Sequence, residues 1–181
     1  EMLSARLGRT ISGGQVMTDD KPLAKIMVQS RLRHDQWAVE QLTLAAEVTA
    51  DAHKIAQYRL EAGLPCHAIW ACMQEHFQSR GMSYAYNPII TPAGEVLHEH
   101  DLSAILQVGD LVLLDVGAET ESGYAADVTR TWCVGKEMST TQAAIHAVVS
   151  AAHQAAIAMI KPGVEYEMVH HNACVTLVSG L

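Results

Sequence analysis

The chain is poor in aromatic residues (5%, with a single Phe) and in basic ones, and it has only five prolines. It contains no run of about 18 apolar residues, so no transmembrane helix is expected. A basic segment leading into an apolar core is missing from its start, so no signal peptide is expected either. Lys and Arg number 12 against 20 Asp and Glu, for a net charge of −8. No Lys/Arg cluster forms, which argues against a general role on nucleic acid or a membrane surface. The scarcity of aromatics leaves little to stack on a sugar. Cys66, Cys72, Cys133 and Cys174 fit no zinc-ribbon spacing and read as reduced thiols, which favours the cytoplasm.

What is present is a 181-residue chain, 49% apolar and 18% charged. That is long enough for one domain with a sizeable core. It begins at Glu1 rather than at a methionine, and so reads as a processed or truncated piece. Residues 1–22 read as irregular chain or the end of another unit, and Lys25–Gln29 as a short strand through Ile26 and Val28. Asp35 is placed to cap a helix running to about Glu61, with Val39, Leu42, Ala46, Thr49, His53, Ala56 and Leu60 at helical spacing. A second helix runs from Cys66 to about Gln78 on a stripe of Ile69, Trp70, Met73 and Phe77. Ser83–Thr91 is extended, Val96–His100 a short strand, and Gln107–Asp110 a turn. Ser139 caps a helix ending near Ile160, and a last helix spans Glu165–Ser179. Helices, then strands, then helices make an α+β order rather than alternating βαβ.

Among ten histidines, His34, His53 and His76 read as solvated helix residues. His170 and His171 are adjacent on a helix and point about 100° apart, so they do not converge on one ion.

The chemistry concentrates in Leu111–Trp132. Asp115 interrupts the run Leu-Val-Leu-Leu-Asp-Val, and Asp127 precedes Val-Thr-Arg-Thr. A carboxylate in an apolar strand is costly unless it is paired, hydrogen-bonded or on a metal. A symmetric hairpin centred on Glu121 makes Asp115 and Asp127 direct cross-strand neighbours, with Cβ atoms about 5 Å apart. One of them then holds a proton, or a hard divalent cation sits between them. The alternatives are an acid–base carboxylate pair, or a structural arrangement in which Asp115 caps a turn and Asp127 pairs with Arg130.

The stretches Gly-Asp-Leu-Val-Leu-Leu-Asp-Val-Gly-Ala-Glu and Gly-Tyr-Ala-Ala-Asp-Val-Thr-Arg-Thr-Trp resemble metallopeptidases of the pita-bread fold. The Xaa-Pro aminopeptidase (aminopeptidase P) and Xaa-Pro dipeptidase branch is nearest. The likeness extends upstream to Tyr86-Asn87-Pro88-Ile89-Ile90 and Val96-Leu97-His98, and downstream to Lys161-Pro162-Gly163-Val164. It implies a curved antiparallel sheet packed by helices, and two metal ions, usually manganese, with cobalt, zinc or iron as possible substitutes. Asp115 and Asp127 match two of five ligands, His98 a pocket histidine that stabilises developing charge. Beside these, Thr129 is placed to orient Asp127, Tyr86 to line the substrate pocket, and His100 to serve a rim or structural role.

The substrate the resemblance implies is a peptide with proline in second position. Two departures accompany it. The two aspartates lie one residue further apart than in the commonest pattern, and the family's remaining histidine and two glutamates have no counterpart by position 181. The chain thus resembles the first half of a catalytic domain (31–181) behind the tail of another unit (1–30). Alone it should be inactive, and its exposed face calls for a companion C-terminal half or for homo-oligomerisation. A non-catalytic binding module and a metal-free creatinase-like hydrolase are the other readings of the same fold.

Overall fold

A computed structural model describes residues 20–135 and 137–181. The expectation of irregular chain therefore lies, for residues 1–19, outside the described residues. The elements are helices α1 (Lys21–Arg31), α2 (Gln36–Arg59) and α3 (Cys66–Ser79), then strands β1 (Ser83–Tyr84), β2 (Ile89–Thr91), β3 (Leu111–Val116), β4 (Ala118–Glu119) and β5 (Val128–Cys133), and finally helices α4 (Thr140–Met159) and α5 (Tyr166–Gly180).

The strand expected at Lys25–Gln29 is instead part of α1. Pro22 sits in its first turn, where the fixed φ suits a helix and the missing N–H is not needed. No residue of α1 is buried, so the Ile26/Val28 alternation had no sheet face to satisfy. The strand expected at Val96–His100 is also not formed. That stretch turns, with Val96 N–H bonded to the Ala93 carbonyl (2.9 Å). Just beyond it, Asp101 N–H is captured by Glu99 Oε1 (2.8 Å) and Ser103 N–H by Asp101 Oδ1 (2.9 Å). Local acidic side chains thus compete with a sheet ladder for the backbone donors.

Helix α2 begins where Asp35 accepts a hydrogen bond from Ala38 N–H at 2.8 Å. Its buried face is Ala38, Ala45, Val48, Thr49, Ala52, His53 and Ala56. The expected stripe is rotated, for Val39 and Ala46 are exposed. Alanines dominate the contact because they let the helix axis come close to the sheet. Large side chains, which carry more weight in a hydrophobic pattern, would hold it away. His53 lies on this inner face at 3% exposure, which corrects the surface reading. Helix α3 meets α2 with Ile69, Met73 and Phe77 fully buried, each worth about 1.5–3 kcal/mol relative to exposure.

The central sheet has the antiparallel order β2-β3-β5, and β1 pairs separately with β4. Val112, Leu114 and Val116 point into the core, whereas Leu111, Leu113 and Asp115 face the other, partly open side. Register places Asp115 opposite Thr129 and Val116 opposite Val128, and the bridge Glu119–Ala125 continues it. The hairpin is therefore centred on Ser122, not Glu121. Asp127 stands diagonal to Asp115, which overturns the expected direct pairing. The cause is the loop Glu121-Ser122-Gly123, closed by Thr120 N–H on the Tyr124 carbonyl (2.9 Å). Three-residue hairpin loops need a left-handed last residue, and Gly123, at φ +80°, supplies it.

Gly117, between β3 and β4, is tied to β1's neighbour by Ala85 N–H on its carbonyl (2.9 Å). A Cβ at Gly117 would overlap the Ala126 carbonyl oxygen. Helix α4 opens with a complete capping box between Ser139 and Gln142. The Gln142 side chain also donates to the Gly109 carbonyl (3.0 Å), anchoring α4 to the turn before β3. Helices α4 and α5 pack chiefly on each other.

Two outcomes are expected. Gly117→Ala should destabilise the protein by roughly 1–3 kcal/mol through overpacking against the Ala126 carbonyl, read from its urea midpoint; an unchanged midpoint contradicts this. Burial holds the His53 imidazole below its ordinary value of 6.5. The folded state then favours neutral His53, so this residue's contribution is complete above about pH 6.5 and is lost as pH falls toward its folded value. Urea midpoints at pH 7.5 and 5.5 should differ less in His53→Gln than in the wild type.

Candidate metal centre

Strand alternation turns Asp115 away from the core, and the Gly123-set register carries Asp127 to the same face. The third member comes from the chain before β2. The Ala85–Gly117 hydrogen bond holds that segment against the sheet, and Tyr86 follows directly. The Tyr86 hydroxyl lies 2.7 Å from Asp115 Oδ1 and 3.0 Å from Asp127 Oδ1. Both carboxylates are thus within reach of one oxygen.

A phenol carries one proton. Two carboxylates facing a single donor leave one accepting site short at any instant, and their charges repel. Burial, the hydrogen bonds to Asp115 and Asp127, and then the two negative charges push the Tyr86 phenol well above its ordinary value of 10.0. It remains a neutral donor across the physiological range. Further compensation must come from an added cation or proton. Asp115 is half-buried and Asp127 exposed, so the pair opens on the uncovered sheet face where a ligand can arrive.

Thr129 is directly opposite Asp115 and on the face of Asp127. It is exposed and lines a cleft of about 450 Å³ with Trp132, His146 and His153. His98 lies in the turn after β2 at φ +57°, exposed. Among the described residues it has no hydrogen bond to the carboxylates. His100 lines a 350 Å³ cleft with Trp70, Tyr84 and Asn87. The Asp127–Arg130 pair weighed from sequence is not made: Arg130 Nη1 donates to the Thr129 carbonyl at 2.8 Å. His170 contacts Cys174 Sγ at 3.5 Å and does not converge with His171.

A cavity of about 680 Å³ lies between Ser30–Ala38 and the hairpin loop Ser122–Tyr124. Its carboxylate, Asp35, is already committed to capping α2, so the carboxylate pair outweighs it as a site. Among the described residues no group of three or more His, Cys, Asp and Glu is arranged to hold a metal. Asp115 and Asp127 bring two carboxylates to one face of the sheet. Their oxygen donors suit a hard or borderline divalent ion.

The residues that sequence reasoning underweighted lie behind the sheet. His53 Nε2 is 3.2 Å from the Val116 carbonyl, and Thr49 Oγ1 accepts from Ala118 N–H at 2.9 Å. Their four-residue spacing on one helical stripe was a visible signal.

A model of metallopeptidase family M24 matches residues 40–181. The chain is 28% identical over 176 residues to the Xaa-Pro aminopeptidase of Escherichia coli (strain K12), covering 96% of this chain and 39% of that protein. It superposes on aminopeptidase PepP of Pseudomonas aeruginosa with a TM-score of 0.84 at 30% identity, covering 99% of this chain and 40% of the other. It also superposes on zinc-substituted aminopeptidase P of Escherichia coli in complex with product, with a TM-score of 0.81 at 28% identity over 84% of this chain and 35% of that one. The chain spans about two fifths of the length of the relatives it matches.

In an absorbance titration carried just past the ordinary tyrosine value of 10.0, Tyr86 should not contribute to the phenolate step. Tyr86→Phe is expected to leave the amplitude of that step unchanged. An amplitude smaller by one tyrosine would contradict the shared-proton arrangement.

Proposed function

The chain belongs to metallopeptidase family M24, and on that premise we propose that it forms the first half of the catalytic domain of a dinuclear metallo-aminopeptidase. The reaction is release of an N-terminal residue that precedes proline. The observation that carries this is the convergence of Asp115 and Asp127 on one hydroxyl, on a pita-bread fold shared with aminopeptidase P.

Asp115 and Asp127 would hold the ions. Bound there, divalent ions supply Lewis acidity and lower the pKa of water to the neutral range. Manganese is the favoured metal, and cobalt, zinc and iron accept the same donors. The chain's own residues do the rest. Tyr86 O–H keeps both carboxylates aimed at one point. Thr129, beside Asp127 on the open face, is placed to orient it and to meet the substrate edge. His98, on its exposed turn, is assigned to stabilise charge that develops on the substrate.

The remaining ligands come from a companion C-terminal half, consistent with coverage of two fifths of the relatives' length. That half covers the open face of the sheet. The exposed Ile145, Val149, Ile157, Val175 and Val178 of α4 and α5 are available to it or to another subunit. Cys66, Cys72, Cys133 and Cys174 are all free thiols, which supports a reducing compartment such as the cytoplasm. No helix of the described residues is long and apolar enough to cross a membrane. Retention of both carboxylates argues against a non-catalytic binding module and against metal-free chemistry. A dipeptidase would share every one of these residues and differ only in preferring two-residue substrates.

With manganese, the full-length protein should cleave Xaa-Pro-Xaa peptides ahead of proline and lose that activity to a chelator. Asp127→Ala should lower turnover by more than about a hundredfold. The 181-residue piece alone should show no efficient turnover. Absence of proline-directed cleavage, with full metal content retained by Asp127→Ala, would sink the reading.

A further inference from the structure

Behind the carboxylates, on the core side of the sheet, α2 presents two polar side chains to a strand backbone. Thr49 and His53 lie one helical turn apart and are both buried, at 0% and 3% exposure. The Thr49 hydroxyl gives its single proton to the Ala45 carbonyl (2.7 Å) and accepts from Ala118 N–H (2.9 Å). His53 Nε2 faces the Val116 carbonyl at 3.2 Å. A carbonyl only accepts, so Nε2 carries the ring proton and Nδ1 is the bare nitrogen. Nδ1 is buried without a partner among the described residues.

These two contacts bracket Gly117, the residue between them. On its other sides Gly117 is held by the Ala85 N–H and abutted by the Ala126 carbonyl. Asp115 precedes Val116, Asp127 lies across from Gly117, and Tyr86 follows Ala85. From the stretch gripped by α2, Asp115 is one residue away, Asp127 one strand spacing, and Tyr86 one strand spacing and one residue. The alanines of α2 bring the helix close enough for side chains this short to reach the strand.

A histidine kept only for packing would be a poor choice here. It leaves a buried nitrogen unpaired, and a leucine of similar volume would not. Buried polar atoms left unpaired in this way call for a functional account.

We propose that His53 is a positioning residue of the metal centre: its Nε2–H bond to the Val116 carbonyl, with the Thr49 bond to Ala118, holds the backbone at Gly117 so that Asp115 and Asp127 converge. This rests on the metallopeptidase reading. The role resembles that of residues which orient metal ligands without touching the ion, whose loss commonly weakens metal binding ten- to a hundredfold.

The test is Co(II) affinity of the full-length protein, measured by competition with a chromogenic chelator, together with thermal midpoints and amide exchange over residues 114–120. In His53→Leu, Co(II) affinity should fall roughly 10–100-fold while the thermal midpoint holds or rises, and exchange at Gly117 and Ala118 should quicken. His53→Gln, whose amide nitrogen reaches the Nε2 position, should bind Co(II) as the wild type does. His53→Asn, whose shorter amide does not, should bind as weakly as His53→Leu, and this pair decides the matter if the leucine variant fails to fold. Wild-type affinity in His53→Asn, alongside lost affinity in Asp127→Ala, overturns the positioning role and leaves the metal site standing. Failure of the wild type to bind Co(II) overturns the metal reading itself, and amide exchange then still reports whether His53 holds the backbone at Gly117.

Discussion

Two carboxylates facing one phenolic proton is the arrangement on which the rest of this structure converges. Asp115 and Asp127 come from different strands, and Tyr86 from a third segment, yet all three oxygens meet within hydrogen-bond distance. Left to themselves, two ionised carboxylates at such separation repel and seek water. The phenol offsets this in part, and its own proton is held more tightly as a result. The pair keeps an unmet demand for positive charge, which is the state a metal centre needs before its ion arrives.

That demand is tolerable because the scaffold behind it is rigid. The core side of β3 is Val112, Leu114 and Val116, fully or almost fully buried against α2 and α3. The helix that backs them is studded with alanine, so it approaches closely enough for Thr49 and His53 to bond the strand backbone directly. A bulkier face would bury more apolar area and forfeit those bonds. The unpaired Nδ1 of His53 is the cost of this choice, and it falls behind the proposed metal ligands.

The face carrying the carboxylates is open, and β5 is an edge strand of the sheet. Helices α4 and α5 bury little: Ala152 alone on α4, and no residue of α5. Asn172 ties α5 to α4 through the Ala155 carbonyl at 3.1 Å, and Gly180 admits Val148 so closely that a Cβ there would meet its methyl at 2.7 Å. The pair is thus internally well fitted while its outward apolar surface stays uncovered. The chain spans about two fifths of the length of these relatives, and this is the surface proposed to receive the remainder.

Much of this was legible in the residues themselves. Asp35 and Ser139 announced their helices because capping is a local event, settled within three residues. The Asp115 anomaly was legible because a charge in an apolar run is costly wherever the strand goes. Tertiary structure alone decided the rest. Gly123 took the last loop position and moved the hairpin centre by one residue, so that Asp115 faces Thr129 rather than Asp127 and the aspartates are diagonal. The rotation of α2, which buried His53, was set by the sheet it packs on, and Lys25–Gln29 and Val96–His100 became helix and turn for want of a neighbouring strand. Tyr86 was named from the sequence as a pocket residue, but its bond to both carboxylates exists only because Ala85 is tied to Gly117. The physical division is one of range: caps, turns and polar anomalies act over a few residues, whereas register, helix rotation and a shared proton depend on groups that meet only when distant segments pack.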